Sequence, residues 1–120
     1  MEKKRVLVVG LGNMGMSHAL AYTRIPEFAV VGVCERRIAK RKLPDALKGA
    51  QKFDDFDKAL AALKPDVVSI NTLPDTHAQF AMKAMEAGAH VFVEKPLADN
   101  ALNAEKVVET AKRTGKKLVI

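Results

Sequence analysis

The sequence predicts an α/β fold built on a doubly wound parallel sheet, in a single domain. Short, β-branched apolar runs alternate with helical patterns along the whole chain. Within each run the apolar residues are continuous, which is typical of strands that helices cover on both faces. A glycine-rich turn joins the first run to the first helical pattern, and folds of this class bind ligands at that turn.

Six segments are predicted as strands, joined by right-handed crossovers. Five of them are strongly apolar, and one short segment in the middle of the chain is weaker. The six are Arg5–Val9, Ala29–Cys34, the weaker Gln51–Phe53, Val67–Asn71, Val91–Val93 and Lys117–Ile120.

Three helical patterns repeat small apolar residues at i, i+3, i+4 and i+7, so that one face of each helix packs on the sheet. Gly88 and Gly115 follow the second and third patterns, where a left-handed residue commonly ends a helix. The three apolar sets are Met16, Ala19, Leu20 and Thr23; Ala78, Ala81, Met82 and Met85; and Ala104, Val107, Val108 and Ala111.

A shorter helix is predicted in the middle of the chain. Asp54 or Asp55 can cap its first free amides. The helix should run to about Ala62, because Pro65 cannot continue it. The stretch Arg36–Leu43 predicts no helix, since it is strongly basic and a proline follows it at once.

Composition limits the classes of function. The chain has 120 residues, 48% of them hydrophobic and 28% charged, which suits one domain with a buried core. The net charge of +6 comes from basic stretches such as Arg36–Lys42 and Lys112–Lys117. The few aromatic residues are not interleaved with these stretches, so we expect no nucleic-acid partner. Three scattered histidines and one cysteine predict no metal site.

Cysteine usage and the apolar runs indicate a compartment. Cys34 is the single cysteine, so no disulfide forms within the chain, as expected in a reducing compartment. The run Val6–Val9 is too short for a signal peptide, and no stretch is long enough to cross a bilayer. We therefore expect a cytoplasmic protein without a membrane partner.

The glycine-rich segment Gly10–Gly15 directly follows the first strand and opens a helix. Gly10 permits the tight turn, and Gly12 lets the backbone approach a pyrophosphate without a Cβ in the way. Gly15 lets the helix lie close to the sheet, so that the free amides at the helix start face two phosphates. This context predicts a Rossmann dinucleotide-binding domain. The candidate cofactor contacts are Gly10, Leu11, Gly12, Asn13, Met14 and Gly15.

An acidic residue at the end of the second strand supports the same interpretation. Glu35 lies twenty residues after Gly15, where a carboxylate accepts hydrogen bonds from the adenosine ribose of NAD. The neighbouring residues Arg36 and Arg37 leave NADP open, since an arginine there can bind a 2′-phosphate, stack on adenine or face water.

The segment after the fourth strand lies where the strand order should reverse, which is the usual ligand position in such sheets. Asn71 and Thr72 are candidates to contact ribose or nicotinamide. Asp75 or Thr76 is expected to cap the next helix. His77 is expected to hydrogen-bond the loop rather than to act as a catalyst. The candidate residues beside the cofactor are Asn71, Thr72, Leu73, Pro74 and His77.

The segment after the fifth strand contributes the candidate catalytic residue. Glu94, Lys95 and Pro96 directly follow a buried strand, which packing alone does not require, and all three are candidate cofactor contacts. Lys95 should project at the carboxyl edge of the sheet, near a nicotinamide ring. An ammonium group there can hold a substrate hydroxyl and stabilise a developing alkoxide. A lysine that only faces solvent is the alternative.

These segments, in this order, resemble the N-terminal half of the glucose–fructose oxidoreductase and inositol dehydrogenase family. The resemblance covers essentially the whole chain, and Glu94-Lys95-Pro96-Leu97 is its most specific part. It implies an NAD(P)-dependent oxidoreductase that transfers hydride from the CH–OH group of a sugar, cyclitol or similar polyol. Lys95 would line the nicotinamide and substrate pocket, the glycines would bind pyrophosphate, and Glu35 would bind ribose.

The chain departs from the family pattern in two respects. Glu35 stands where the family often has aspartate. Family members also continue into a second domain, which supplies substrate contacts, an acid/base histidine and the oligomer interface. We therefore interpret residues 1–120 as the N-terminal, cofactor-binding part of a longer two-domain protein, with little turnover alone. Two alternatives stay open: a non-catalytic nucleotide-sensing module, and a CoA-binding domain.

Overall fold

The computed structural model describes residues 2–120, and Met1, the first residue of the predicted domain, lies outside them. Its six strands form one parallel sheet in the order β3-β2-β1-β4-β5-β6. The elements are β1 (Lys4–Val9), α1 (Asn13–Thr23), β2 (Phe28–Cys34), β3 (Gln51–Phe53), α2 (Phe56–Leu63), β4 (Val67–Ile70), α3 (Pro74–Glu86), β5 (His90–Val93), α4 (Ala101–Thr114) and β6 (Leu118–Val119).

This strand order confirms the predicted doubly wound architecture. The chain starts in the centre of the sheet, moves outward through β2 to β3, and then returns to the other side of β1 through β4 to β6. The order reverses between β1 and β4, so the loops that leave these two strands diverge. Such a switch point opens a crevice at the carboxyl ends of the strands.

The sheet separates two hydrophobic cores, because successive side chains of a strand point to opposite faces. On β1, Leu7 and Val9 belong to the larger core, which α2, α3 and α4 cover. Val6 and Val8 belong to the smaller core, which α1 covers with Ala19. The continuous apolar runs in the sequence therefore reflect burial on both faces, as predicted.

A segment of 16 residues (35–50), without an α-helix, connects β2 to β3. It contains two 3-10 turns, Ile38–Lys40 and Asp45–Leu47, and it buries Ile38, Leu43 and Leu47 in the smaller core. This agrees with the absence of a helical prediction for the basic stretch. The three buried apolar residues hold the basic segment against the sheet, near the end of β2.

The helix ends largely follow the sequence signals. The Asp55 side chain caps α2 by accepting a hydrogen bond from the Lys58 amide at 2.9 Å. Gly88 and Gly115 both have positive φ, +98° and +72°, after α3 and α4. Lys64 ends α2 in a left-handed conformation with φ of 46°, directly before Pro65.

Some helix predictions were wrong in detail. Val108 is exposed, because the buried face of α4 is formed by Val107 and Thr110 instead. The buried Thr110 hydroxyl is satisfied, since it donates to the Lys106 carbonyl at 2.8 Å. Thr23 is exposed at the end of α1, and its hydroxyl donates to the Leu20 carbonyl.

Neither Asp75 nor Thr76 caps α3, contrary to expectation. The capping position is Leu73, and no side chain bonds the first amides. Pro74 is the first helical residue and has no amide to satisfy, which favours an earlier start of the helix. Thr76 instead donates its hydroxyl to the Leu73 carbonyl at 2.7 Å.

Residues 2–120 include no helix that is long and apolar enough to cross a membrane.

Candidate cofactor site

A cleft of about 640 Å³ opens at the carboxyl edge of the sheet, at the switch point between β1 and β4. Backbone hydrogen bonds fix its rim. The Gly10 amide donates to the Cys34 carbonyl and the Asn71 amide to the Val9 carbonyl, both at 2.8 Å. Predicted site residues along this cleft are Gly10, Leu11, Gly12, Glu35, Arg36, Asn71, Thr72 and Leu73.

The glycine-rich loop is tightly enclosed at two of its three glycines. Gly10 has φ of +84°, and a Cβ there would lie 2.6 Å from the Asn71 carbonyl oxygen. A Cβ on Gly15 would overlap the Gly10 carbonyl oxygen, so the first turn of α1 rests directly on the loop. Neither position has room for any side chain.

Gly12 differs, because a Cβ on it would meet no atom within 4 Å. It is the N-terminal cap of α1, and no side chain bonds the first amides of this helix. No acidic residue lies in its first turn. The space beside Gly12 and the free amides together form a cradle for an anion, since the positive end of the helix dipole points there.

Glu35 lies across the cleft from the glycine loop and bonds to it. Its Oε1 accepts a hydrogen bond from the Leu11 amide at 3.3 Å. Its Oε2 lies 3.3 Å from Nε of Arg41, yet that oxygen is buried and accepts no hydrogen bond among the described residues. A buried acceptor that faces a cleft without a donor suits a ligand that brings hydroxyl groups.

Asn71 presents a second such acceptor at the switch point. Its amide nitrogen donates to the Ser69 hydroxyl at 3.1 Å and to the Ser69 carbonyl at 3.3 Å, which fixes the side chain. Its Oδ1 is buried and has no donor in residues 2–120. The cleft therefore offers two fixed oxygen acceptors, which suit ribose hydroxyls, and a cradle of amide donors, which suits the pyrophosphate of a dinucleotide.

His77 connects the loops that follow β4 and β5. The ring is 1% exposed. Its Nδ1 lies 2.7 Å from the Pro96 carbonyl oxygen, and its Nε2 lies 2.9 Å from the Thr72 carbonyl oxygen. Both partners are carbonyl oxygens, which accept hydrogen bonds, so the ring is the donor in these contacts. The expectation that His77 hydrogen-bonds the loop is confirmed.

The segment that carries Lys95 follows β5 at the same edge of the sheet. The Glu94 amide donates to the Ile70 carbonyl at 2.9 Å, which continues the register of β4 and β5. Glu94 Oε2 lies 3.6 Å from Nε2 of His18, whose ring packs edge-on against Phe92. The Lys95 side chain is exposed and makes no hydrogen bond or ion pair among the described residues.

Two residues near the site escaped the sequence analysis. Nothing in the basic stretch distinguishes Arg41 from its neighbours, and its contact with Glu35 depends on how the segment folds. His18 could have been noticed, because it is a polar aromatic residue three positions after Gly15 in an otherwise apolar helix. Of the other predicted residues, Asn13, Met14 and Pro74 begin helices at the rim and are exposed.

Comparison with protein families identifies the family of this chain. The family model GFO/IDH/MocA, described as an oxidoreductase family with an NAD-binding Rossmann fold, matches residues 4–120. The chain belongs to this oxidoreductase family. It is the NAD-binding Rossmann domain of the family, and nicotinamide dinucleotide is its cofactor.

Characterised relatives include dehydrogenases of sugars and cyclitols. The chain is 34% identical to D-glucoside 3-dehydrogenase of Escherichia coli over 116 residues, which are 95% of this chain and 33% of the relative. It is also 34% identical to inositol 2-dehydrogenase of Rubrobacter xylanophilus over 119 residues, 98% of this chain and 34% of the relative. The chain thus spans about a third of the length of the relatives it matches.

Solved structures show the same fold. An NAD-binding oxidoreductase from Klebsiella pneumoniae superposes with a TM-score of 0.86 at 30% identity, over 98% of this chain and 34% of that one. The WlbA dehydrogenase of Bordetella pertussis, crystallised with NADH and UDP-GlcNAcA, superposes with a TM-score of 0.85 at 26% identity. That match covers 99% of this chain and 37% of the dehydrogenase.

Proposed function

We propose that this chain is the cofactor domain of an oxidoreductase that transfers hydride between nicotinamide and a carbinol carbon of a sugar, cyclitol or similar polyol. The observation that carries the proposal is Lys95, an exposed ammonium group with no hydrogen bond or ion pair among residues 2–120. It follows β5 at the carboxyl edge of the sheet, the edge at which the cleft opens, although it does not itself line the cleft. Sugar and inositol dehydrogenases among the relatives support the substrate class. The parent protein would include a second domain that holds the substrate.

At the adenosine end, the chain binds and orients the cofactor. The amides that open α1 and the space beside Gly12 hold the pyrophosphate, and Glu35 Oε2 accepts a ribose hydroxyl. Asn71 Oδ1 accepts a further donor at the switch point, and the backbone at Thr72 and Leu73 forms the adjacent wall. The cofactor supplies the hydride chemistry through its nicotinamide ring.

At the nicotinamide end, Lys95 donates a hydrogen bond to the oxygen of the substrate hydroxyl. Its positive charge would stabilise the negative charge left on this oxygen when the hydroxyl proton passes to a base of the second domain, before the hydride leaves carbon for the nicotinamide and the carbonyl forms. The Pro96 carbonyl, held by His77, and Glu94, beside His18, fix the backbone on both sides of Lys95. His77 thus acts on the position of the lysine and stays buried below the reacting groups.

The test compares Lys95→Met with Lys112→Met, a control that removes the same charge from an exposed position on α4. Both variants are made in the protein that includes the second domain. NAD⁺ binding is titrated, and reduction of the nicotinamide is followed with inositols, glucosides and simple alcohols. We expect Lys95→Met to lose at least about a hundredfold in kcat, since the group acts on the transition state, and to bind NAD⁺ normally.

Full turnover by Lys95→Met would contradict the role given to this lysine. Tight NAD⁺ binding together with no oxidation of any polyol, by the unaltered protein, would favour the nucleotide-sensing alternative. The chain of 120 residues alone should bind NAD⁺ and show little turnover, because the substrate contacts are expected from the second domain.

A further inference from the structure

We infer that Arg41 determines how this domain discriminates between NAD and NADP, because it alone of the arginines in its segment contacts Glu35. The inference rests on the proposed function, since it takes Glu35 as the residue that faces the adenosine ribose. Sequence position points instead to Arg36 and Arg37, which directly follow Glu35.

Arg41 is held at the ribose position by two contacts. Its Nε lies 3.3 Å from Glu35 Oε2, and the other end of its guanidinium donates to the Leu11 carbonyl oxygen. Leu11 also donates its amide to Glu35 Oε1. The carboxylate, the guanidinium and the peptide groups of Leu11 therefore form one closed network beside the glycine loop.

The fold of the segment explains why Arg41 reaches the Glu35 carboxylate when Arg36 and Arg37, which are nearer in sequence, do not. Ile38 is buried in the smaller core and anchors a 3-10 turn, and the Arg41 amide donates to the Ile38 carbonyl at 3.1 Å. This turn brings Arg41 back over the end of β2. Arg36 and Arg37 reach the cleft wall but are exposed and make no ion pair within residues 2–120.

The charges at this position favour opposite cofactors. Glu35 accepts hydrogen bonds from the ribose hydroxyls of NAD but repels the 2′-phosphate of NADP. Arg41 offsets the carboxylate charge and offers a fork of donors that suits a phosphate. Asp54 also lines the cleft and adds a second negative charge. Without Arg41, the charge of Glu35 would have no ion-pair partner within residues 2–120 and would disfavour the 2′-phosphate.

The experiment measures the ratio of the dissociation constants for NADP⁺ and NAD⁺ by calorimetric titration of the 120-residue chain. Arg41→Gln should raise this ratio by about tenfold, as expected for loss of one charge-assisted contact at a half-exposed site. Lys40→Gln is the matched control, because it removes the same charge from the neighbouring exposed residue and should leave the ratio within about twofold.

The ratio of the two dissociation constants shows whether Arg41 acts on cofactor selectivity or only supports the glycine loop. If Arg41 only holds the Leu11 carbonyl, Arg41→Gln weakens both cofactors equally and the ratio stays constant, which overturns the inference. A larger change in the ratio for Arg36→Gln or Arg37→Gln than for Arg41→Gln would also overturn it. Circular dichroism of each variant checks the fold. Should Arg41→Gln unfold, Arg41→Lys, which keeps the charge but not the fork, should give a smaller rise in the same ratio.

Glu35→Gln distinguishes failure of this inference from failure of the proposed site. The substitution should lower the ratio, because it removes the charge that repels the 2′-phosphate, and it should reduce the effect of Arg41→Gln in the double variant. If Glu35→Gln changes neither dissociation constant, the ribose assignment itself is wrong. If Glu35→Gln acts as expected and Arg41→Gln does not, only the role of Arg41 fails.

Discussion

The two ends of the proposed cofactor site are built differently. At the end that we assign to adenosine and phosphate, the loop Gly10–Gly15 has no free space at two of its glycines, and Glu35 is bonded to the loop. At the end that we assign to nicotinamide, Lys95 is exposed and has no partner in the described chain, although His77 fixes the backbone beside it.

This difference separates binding from chemistry. The end assigned to phosphate draws its donors and acceptors from backbone amides and from Glu35 and Asn71, which the fold itself positions. The end assigned to nicotinamide offers one exposed ammonium group, Lys95, beside a backbone that His77 holds. Cofactor affinity should therefore depend on the glycine loop and Glu35, and turnover on Lys95 and the substrate beside it.

The largest expected difference between the two ends is chemical accessibility. Burial raises the pKa of the Cys34 thiol to about 12, with Asp55, Asp54 and Glu35 adding to the shift. Since the thiolate is the reactive form, iodoacetamide at mild alkaline pH should label the folded chain about a thousandfold more slowly than the unfolded chain. The amine of Lys95 should react with acylating reagents at the rate of other exposed lysines, as read by mass spectrometry.

The same shift has a consequence for stability. The pKa of Cys34 is higher in the folded chain than in the unfolded chain. The free energy of unfolding should therefore be constant at neutral pH and fall as pH rises from about 9 towards 12, because only the unfolded chain then loses the thiol proton. Rapid labelling of Cys34 in the folded chain would show that this thiol is accessible, and would contradict the stated difference between a buried end and an exposed end of the site.

The second effect concerns the packing of α1 on the glycine loop. Gly15→Ala should lower the free energy of unfolding by at least about 3 kcal/mol, because its Cβ meets a backbone oxygen that cannot move away. Gly49→Ala is the matched control, since its Cβ meets no atom within 4 Å and should change stability by less than about 0.5 kcal/mol. Urea denaturation measures both. Equal stability of the two variants would show that the loop is not enclosed.

The third effect tests the connection below the nicotinamide end. His77→Ala should cost roughly 2 to 4 kcal/mol, because it leaves the Thr72 and Pro96 carbonyls without their donor and opens a cavity. Gln79→Ala, at an exposed position on the same helix, should cost little. If His77→Ala is as stable as the control, the two loops are not held together by this ring, and the fixed position of Lys95 loses its support.

The sequence predicted the architecture because the relevant signals are local. Continuous apolar runs, glycines after helices and the capping Asp55 each identify an element from a few neighbouring residues. The glycine loop and Glu35 were predicted as site residues from local signals too, since their spacing along the chain is fixed by one strand, one turn and one helix.

The features that were missed depend on contacts between distant segments. Arg41 meets Leu11 across thirty positions, and His18 meets Glu94 from another helix. No local pattern distinguishes Arg41 from the basic residues around it. The wrong cap at α3 has a local cause: Pro74 needs no donor at the first helical position, so the helix begins earlier than the acidic signal indicated.

The most direct test of the account is calorimetric titration of the chain with NAD⁺, comparing Gly12→Ala with Gly49→Ala. Both added methyl groups meet open space in the protein, so both variants should fold normally. Only Gly12 lies where the pyrophosphate should rest, so Gly12→Ala should weaken NAD⁺ binding by about tenfold or more while Gly49→Ala leaves it unchanged. Equal affinity in the two variants would contradict the assignment of the glycine loop as the phosphate site.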